Sequence, residues 1–253
     1  MVPLRDRNPT RRTPWITIAL ILVNVGVFLF VQQAGTSTDS QVQVVYERAA
    51  IPCEISNQRP LTLREIDTDQ CNSVGRRSIT PFPDKNVDLA ILVSLFLHAN
   101  WLHLGGNMLF LWIFGNNVED AMGAARYLAF YLAAGLVATI AQLALDPTST
   151  APLIGASGAI AGVMGAYLIW YPRAPILTWV SFLLIVVTYV PAWVVLGFWF
   201  VSQFFTGETS GVAWMAHVGG FAFGVLVAVW LRNTPWFRQR AARTLPYGFS
   251  SSF

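Results

Sequence analysis

The stretch PLIGASGAIAGVMGAYLIWY, residues 152–171, decides how this chain folds. It carries no charged residue, and about 20 apolar residues are what an α-helix needs to cross a bilayer. Gly155, Gly158, Gly162 and Gly165 recur at intervals of three and four. That spacing sets them on one face, and a stripe of small residues lets two membrane helices approach closely. Ser157 lies among these glycines. A polar group inside a span is expensive and asks for an explanation. One explanation is local, a hydroxyl bonded to its own helix beside glycines that only pack. The other is chemical, and residues elsewhere in the chain must decide it.

The rest of the chain has the same character. Of 253 residues, 55% are hydrophobic and 11% charged, against roughly 25% charged in soluble proteins. Such a chain is not disordered, which would need high charge and few aromatics. It has too few charges to cover a soluble surface. The net charge of +3 contains no dense basic run, so nucleic acid is not an expected partner. The expected partner is the lipid bilayer.

Outward from residues 152–171, the sequence predicts an all-α polytopic membrane protein of six spans. Residues 1–13 are a cytoplasmic N-terminal segment, and 14–33 the first transmembrane helix. Residues 34–100 form a long outer loop ending in a short interfacial helix over 89–97. Residues 101–231 hold five further spans, over about 101–118, 125–145, 152–171, 192–205 and 211–231, with Glu119 and Asp120 ending the first of these. Residues 175–190, set off by Pro191, read as an interfacial hairpin, with a seventh span as the alternative. Residues 232–253 are a cytoplasmic tail.

Basic residues orient this arrangement. Ten of the sixteen lie on one side: Arg5, Arg7, Arg11, Arg12, Arg126, Arg173, Arg232, Arg238, Arg240 and Arg243. The short loops of the other side, around Asp146 and Glu208, have none. The positive-inside rule therefore puts both termini in the cytoplasm, and an even number of spans agrees. A bacterial plasma membrane is the expected location. Cys53 and Cys71, both in the outer loop, then face an oxidising compartment. A bridge between them would contribute roughly 3 kcal/mol; two free thiols are the alternative.

All three histidines lie in or beside spans. His103 and Asn107 near the start of one span, Ser157 in another and His217 in the last fall within about 10 Å of the outer boundary. His217 shares a face with Gly220 and Gly224, so contact between the two glycine-bearing spans brings His217 towards Ser157. A serine becomes a nucleophile when a base takes its proton. No acidic residue lies inside the spans, so the expected unit is a Ser157–His217 dyad rather than a triad. The Asn107 amide, an N–H of His103 and the backbone N–H of Ser157 are candidate donors to a developing oxyanion. A metal site is not expected, because His98 and His103 lie about 140° apart on a helix. A proton-coupled transporter fits less well, having neither a mid-membrane acid nor an internal repeat to work with.

HANWLHLGGNMLFLW (98–112), GNNVEDAMG (115–123), GASGAIAGVMGAY (155–167) and AHVGGFAFG (216–224), in this order, resemble the rhomboid family of intramembrane serine proteases. The resemblance covers about Leu92 to Leu231. It implies a six-helix bundle, Ser157 as nucleophile and His217 as general base. His103 and Asn107 would be oxyanion-side residues, and His98 and Glu119 structural ones. It implies transmembrane proteins as substrates, cut near the outer surface, and no cofactor or metal. Three departures stand out, one being that the Trp-Arg pair some members have in the first outer loop is not found here. The place where some members carry a tyrosine against the catalytic imidazole is Ala161, so another group must orient His217. The cysteine-bearing insert is not a general family feature. The competing reading is a non-catalytic relative that binds or delivers clients; it predicts a missing member of the dyad, and none is missing.

Overall fold

The computed structural model describes residues 1–33, 38–73, 75, 78–181, 185–206 and 212–244. The long apolar runs become helices. The first is α1 (Trp15–Gly26), continued by a wider π turn over Val27–Val31. α6 (Trp101–Met122) begins where the Asn100 side chain accepts the His103 N–H, and ends at Gly123, whose φ of 81° other residues rarely adopt. α7 spans Ala124–Leu145, α8 Ser157–Trp170, α9 Ala192–Gln203 and α10 Trp214–Arg232. α7 and α10 are each long and apolar enough to cross a membrane. A third candidate is Val87–Phe96 with α6, a pair bent by 76°. Residues 15–31, α8 and α9 are shorter apolar helices. The chain is thus a mostly helical bundle of apolar, membrane-type helices.

Glu119 and Asp120 do not end α6 as the sequence suggests. The Glu119 carboxylate accepts from the Ile16 and Thr17 N–H groups and the Thr17 hydroxyl at 2.8–2.9 Å. Asp120 accepts from the Arg11 N–H. Glu119 thus caps the start of α1, where the helix dipole favours negative charge, Asp120 ties down the segment just ahead of it, and α6 runs on past both to Met122.

α8 lies at the centre. Every residue from Gly158 to Tyr167 is buried. Its glycine face meets two neighbours. Gly158 lies against Ala138 and Ala216, Gly162 against Ala134 and the Gly220 carbonyl, and Gly165 against the Phe221 carbonyl. Gly220 and Gly224 in turn press on the backbone of Gly158 and Gly162. Gly155 does not belong to this stripe. α8 starts at Ser157, because Gly155 has a φ of 120° that no helix contains.

Two further regions go beyond the sequence reading. The helices are joined by a small antiparallel sheet of order β1-β2-β3: β1 (Val2–Asp6), β2 (Pro175–Ser181) and β3 (Ile185–Pro191). The expected hairpin is β2–β3, paired from Pro175↔Pro191 to Ser181↔Ile185. The N-terminal segment adds a strand to it, with Val2 opposite Trp179 and Asp6 opposite Ile176, and Arg7 lies over the Tyr189 ring.

The segment expected as an outer loop folds, over its described residues, as a cap with α2 (Thr38–Arg48), α3 (Pro52–Asn57) and α4 (Leu63–Thr68) ahead of α5 (Val87–Val93). Thr62 and Glu65 form a capping box at α4. Arg59 grips Glu65 through its two terminal guanidinium nitrogens, which hold its carboxyl down to about 2. Lys85 pairs with Glu54 in the interior of the cap, and Cys53 and Cys71 form a disulfide.

Candidate active site

The site begins with chain direction. Ser157 opens α8, so its N–H is among those that helix geometry leaves without an intrahelical acceptor. The extended segment before it is held from both sides. Gly155 N–H donates to the Ser94 carbonyl, Leu153 N–H to the Ala50 carbonyl, and Cys53 N–H to the Ser149 carbonyl. α7 meets Gly158 through Ala138 and runs seven residues further to Leu145. Ser157 therefore sits about 10 Å short of the Leu145 end of α7.

His217 lies in the first turn of α10, whose start is pinned where the Ala216 N–H meets Gln142 Oε1 of α7. The glycine contact between α8 and α10 closes the remaining distance. His217 Nε2 lies 2.8 Å from Ser157 Oγ, across 60 residues of sequence. His217 Nδ1 lies 2.7 Å from Gln203 Oε1, and the Trp199 ring stands 5.7 Å from the imidazole. Both partners are on α9.

His103 borders the same space. Its Nδ1 accepts the Ala99 N–H at 3.2 Å, which leaves Nε2 to carry the proton in a neutral ring. A Cβ placed on Gly155 would lie 2.9 Å from His103 Nε2 and 3.6 Å from Ser157 Oγ. Glycine thus keeps open a gap between the serine oxygen and an imidazole donor. His98 is buried and packs edge-on against His103, with centroids 5.1 Å apart. Gln32 holds the His98 backbone by two 2.8 Å hydrogen bonds. Asn107 lies one turn along α6 from His103 and uses one of its amide N–H groups on the His103 carbonyl.

The structure thus joins Ser157 to His217 and sets His103 beside them, with Gly158, Gly220 and Gly224 as the contact that permits it. Glu119 is distant, capping α1. Sequence reasoning missed Gln203, Gln142 and Gln32. Each is a polar residue in or beside an apolar run, the same signal that singled out Ser157. Among the described residues, the cluster of metal-ligating types is Cys53, Glu65 and Cys71. Its two sulfurs are joined to each other, so they are not available as thiolate ligands.

A helical membrane bundle with a hydroxyl and an imidazole in hydrogen-bond contact near one end defines a class. The particular family follows from comparison. The Rhomboid domain family matches residues 88–234, more than half of the chain, and the protein belongs to the rhomboid family. It is 31% identical to Rhomboid protein 1, mitochondrial, of Saccharomyces cerevisiae over 168 residues, 61% of this chain and 45% of that one. It is 44% identical to Rhomboid protease GluP of Bacillus subtilis over 78 residues, 31% of this chain and 15% of that one. It is 26% identical to the Presenilin-associated rhomboid-like protein, mitochondrial, of Bos taurus over 144 residues, 53% of this chain and 36% of that one. The match spans less than half the length of each of these relatives. Mitochondrial names stand beside a bacterial one, so the relatives do not support the expected bacterial plasma membrane.

Proposed function

We propose that this protein is an intramembrane serine endopeptidase that cuts other membrane proteins in or next to a transmembrane segment. The observation that carries this reading is the 2.8 Å contact between His217 Nε2 and Ser157 Oγ. His217 takes the Ser157 hydroxyl proton as the oxygen attacks the scissile carbonyl. The oxyanion that forms is met by the Ser157 N–H, by His103 Nε2–H across the gap at Gly155, and by Asn107. His217 then gives its proton to the departing amine, leaving an acyl group on Ser157. Water, deprotonated by His217, releases the acyl group and restores the serine.

In this reading residues 15–31, α6, α7, α8, α9 and α10 are six crossings with both termini on one side, and residues 101–231 form the catalytic core. The site opens towards the face that carries the cap, which supplies the water. The substrate helix must unwind there, because a helical amide is not open to attack. A serine-directed fluorophosphonate tests the nucleophile without knowledge of the substrate. Wild-type protein in detergent should be labelled, and both Ser157→Ala and His217→Ala should not. Equal labelling of Ser157→Ala would refute the assignment. A folded wild-type protein that takes no label favours the client-binding alternative.

A further inference from the structure

His217 is aligned by a residue outside every motif. Gln203, the last residue of α9, is buried, and its Oε1 lies 2.7 Å from His217 Nδ1. The helix that carries this amide also sets which way it faces. Gln203 Nε2 donates to the Trp199 carbonyl at 2.9 Å and reaches the Ser202 hydroxyl at 3.2 Å. A carbonyl only accepts. The reversed amide would set two carbonyl oxygens against each other at Trp199. The amide oxygen therefore faces the imidazole, and an acceptor at Nδ1 calls for the proton there. In a neutral imidazole the lone pair is then on Nε2, the atom that meets Ser157 Oγ.

We propose that Gln203 is a positioning residue: it holds His217 in the Nδ1–H tautomer with Nε2 aimed at Ser157. The inference rests on the serine-protease reading above. It supplies the orienting group that Ala161 does not. In a triad a carboxylate orients the base and also stabilises the imidazolium by charge. A neutral amide does only the first, and it places no ion in an apolar span. Trp199, one turn before Gln203 on the same helix, lies against the ring and restricts its tilt.

Three histidines make this testable by nitrogen NMR of histidine-labelled protein in detergent, with His217→Ala identifying the signal. In the wild type, His217 should show a protonated Nδ1 and an unprotonated Nε2. Gln203→Met keeps the length and removes the acceptor. It should lose that signature and lower kcat about tenfold or more, the value of one hydrogen bond to the base, with KM within about twofold. Gln203→Glu keeps an acceptor oxygen and should retain the signature. If Gln203→Met is not recovered folded, Gln203→Asn, one methylene shorter, carries the same expectation. A retained Nδ1–H signature or an unchanged kcat in Gln203→Met, or in Gln203→Asn where it stands in for it, overturns the proposal. Undiminished cleavage by Ser157→Ala would instead overturn the protease reading, and the tautomer measurement would still report on Gln203 independently.

Discussion

Gly155 shows how much one residue can decide at this site. Its φ of 120° strains any other residue, and a Cβ would stand between His103 Nε2 and Ser157 Oγ. Gly155→Ala should therefore cut kcat/KM by at least about tenfold, from strain and blockage of the oxyanion gap together. Activity close to wild type would show that the gap is not used. At the opposite end, Asp6 Oδ2 accepts from Asn117 Nδ2 at 2.6 Å and from the Tyr167 hydroxyl at 3.0 Å. Burial nevertheless raises its carboxyl to about 6. A raised carboxyl favours the fold while protonated, so this stabilisation is complete below 3.8 and is lost as pH rises through 6. Thermal melts of wild type should decline over that window, and Asp6→Asn should flatten the decline. Identical pH profiles for the two would contradict it. The sequence exposes Ser157 and His217 because each is polar in an apolar run. It misreads Gly155 as packing, since the intervals of three and four continue unbroken through a backbone that is no longer helical. Gln203 meets its partner only once α9 and α10 lie side by side.

Among elements, the contact of α8 with α10 carries the site. A Cβ on Gly224 would meet backbone atoms of Gly162, which cannot move aside as a side chain can. Gly224→Ala should destabilise the protein by about 1–3 kcal/mol and lower activity with it. Gly106 has open space around it. Gly106→Ala should leave the melting temperature unchanged or raised, because alanine is the better helix former. Similar melts for the two variants would remove the packing argument. The glycine intervals make this contact legible in advance. The cap is not legible in the same way. Its short helices have no long hydrophobic period, and what fixes them is specific pairing: the Cys53–Cys71 disulfide, Arg59 with Glu65, and Lys85 with Glu54. Through Ala50 and Cys53 the cap also holds residues 149–153, just ahead of Ser157. Replacing Cys53 and Cys71 by serine should lower stability by roughly 3 kcal/mol and reduce kcat as that segment loosens. Full activity of the double variant would mean the cap does not support the site.

Over the whole molecule, the sheet joins the N-terminus to the α8–α9 connection, so these two lie at one end of the bundle. The arginine distribution leads to the expectation that these two segments share one side of the membrane, the cytoplasmic one. Cysteines introduced as Arg5→Cys and Arg173→Cys should be labelled from the same side of a sealed vesicle, and Ser149→Cys from the other. Labelling of Arg5→Cys and Ser149→Cys from one side would contradict the arrangement. The strand over Val2–Asp6 had no signal strong enough to find it, since five residues gain strand character only from the hairpin they pair with. The central claim is that Ser157 and His217 together hydrolyse a peptide bond inside a membrane. The most direct measurement is cleavage of reporter transmembrane segments in proteoliposomes by wild type and by Ser157→Ala. Wild type should cleave them, and the variant should lose at least about a thousandfold in rate with its melting curve unchanged. Undiminished cleavage by Ser157→Ala would contradict the claim.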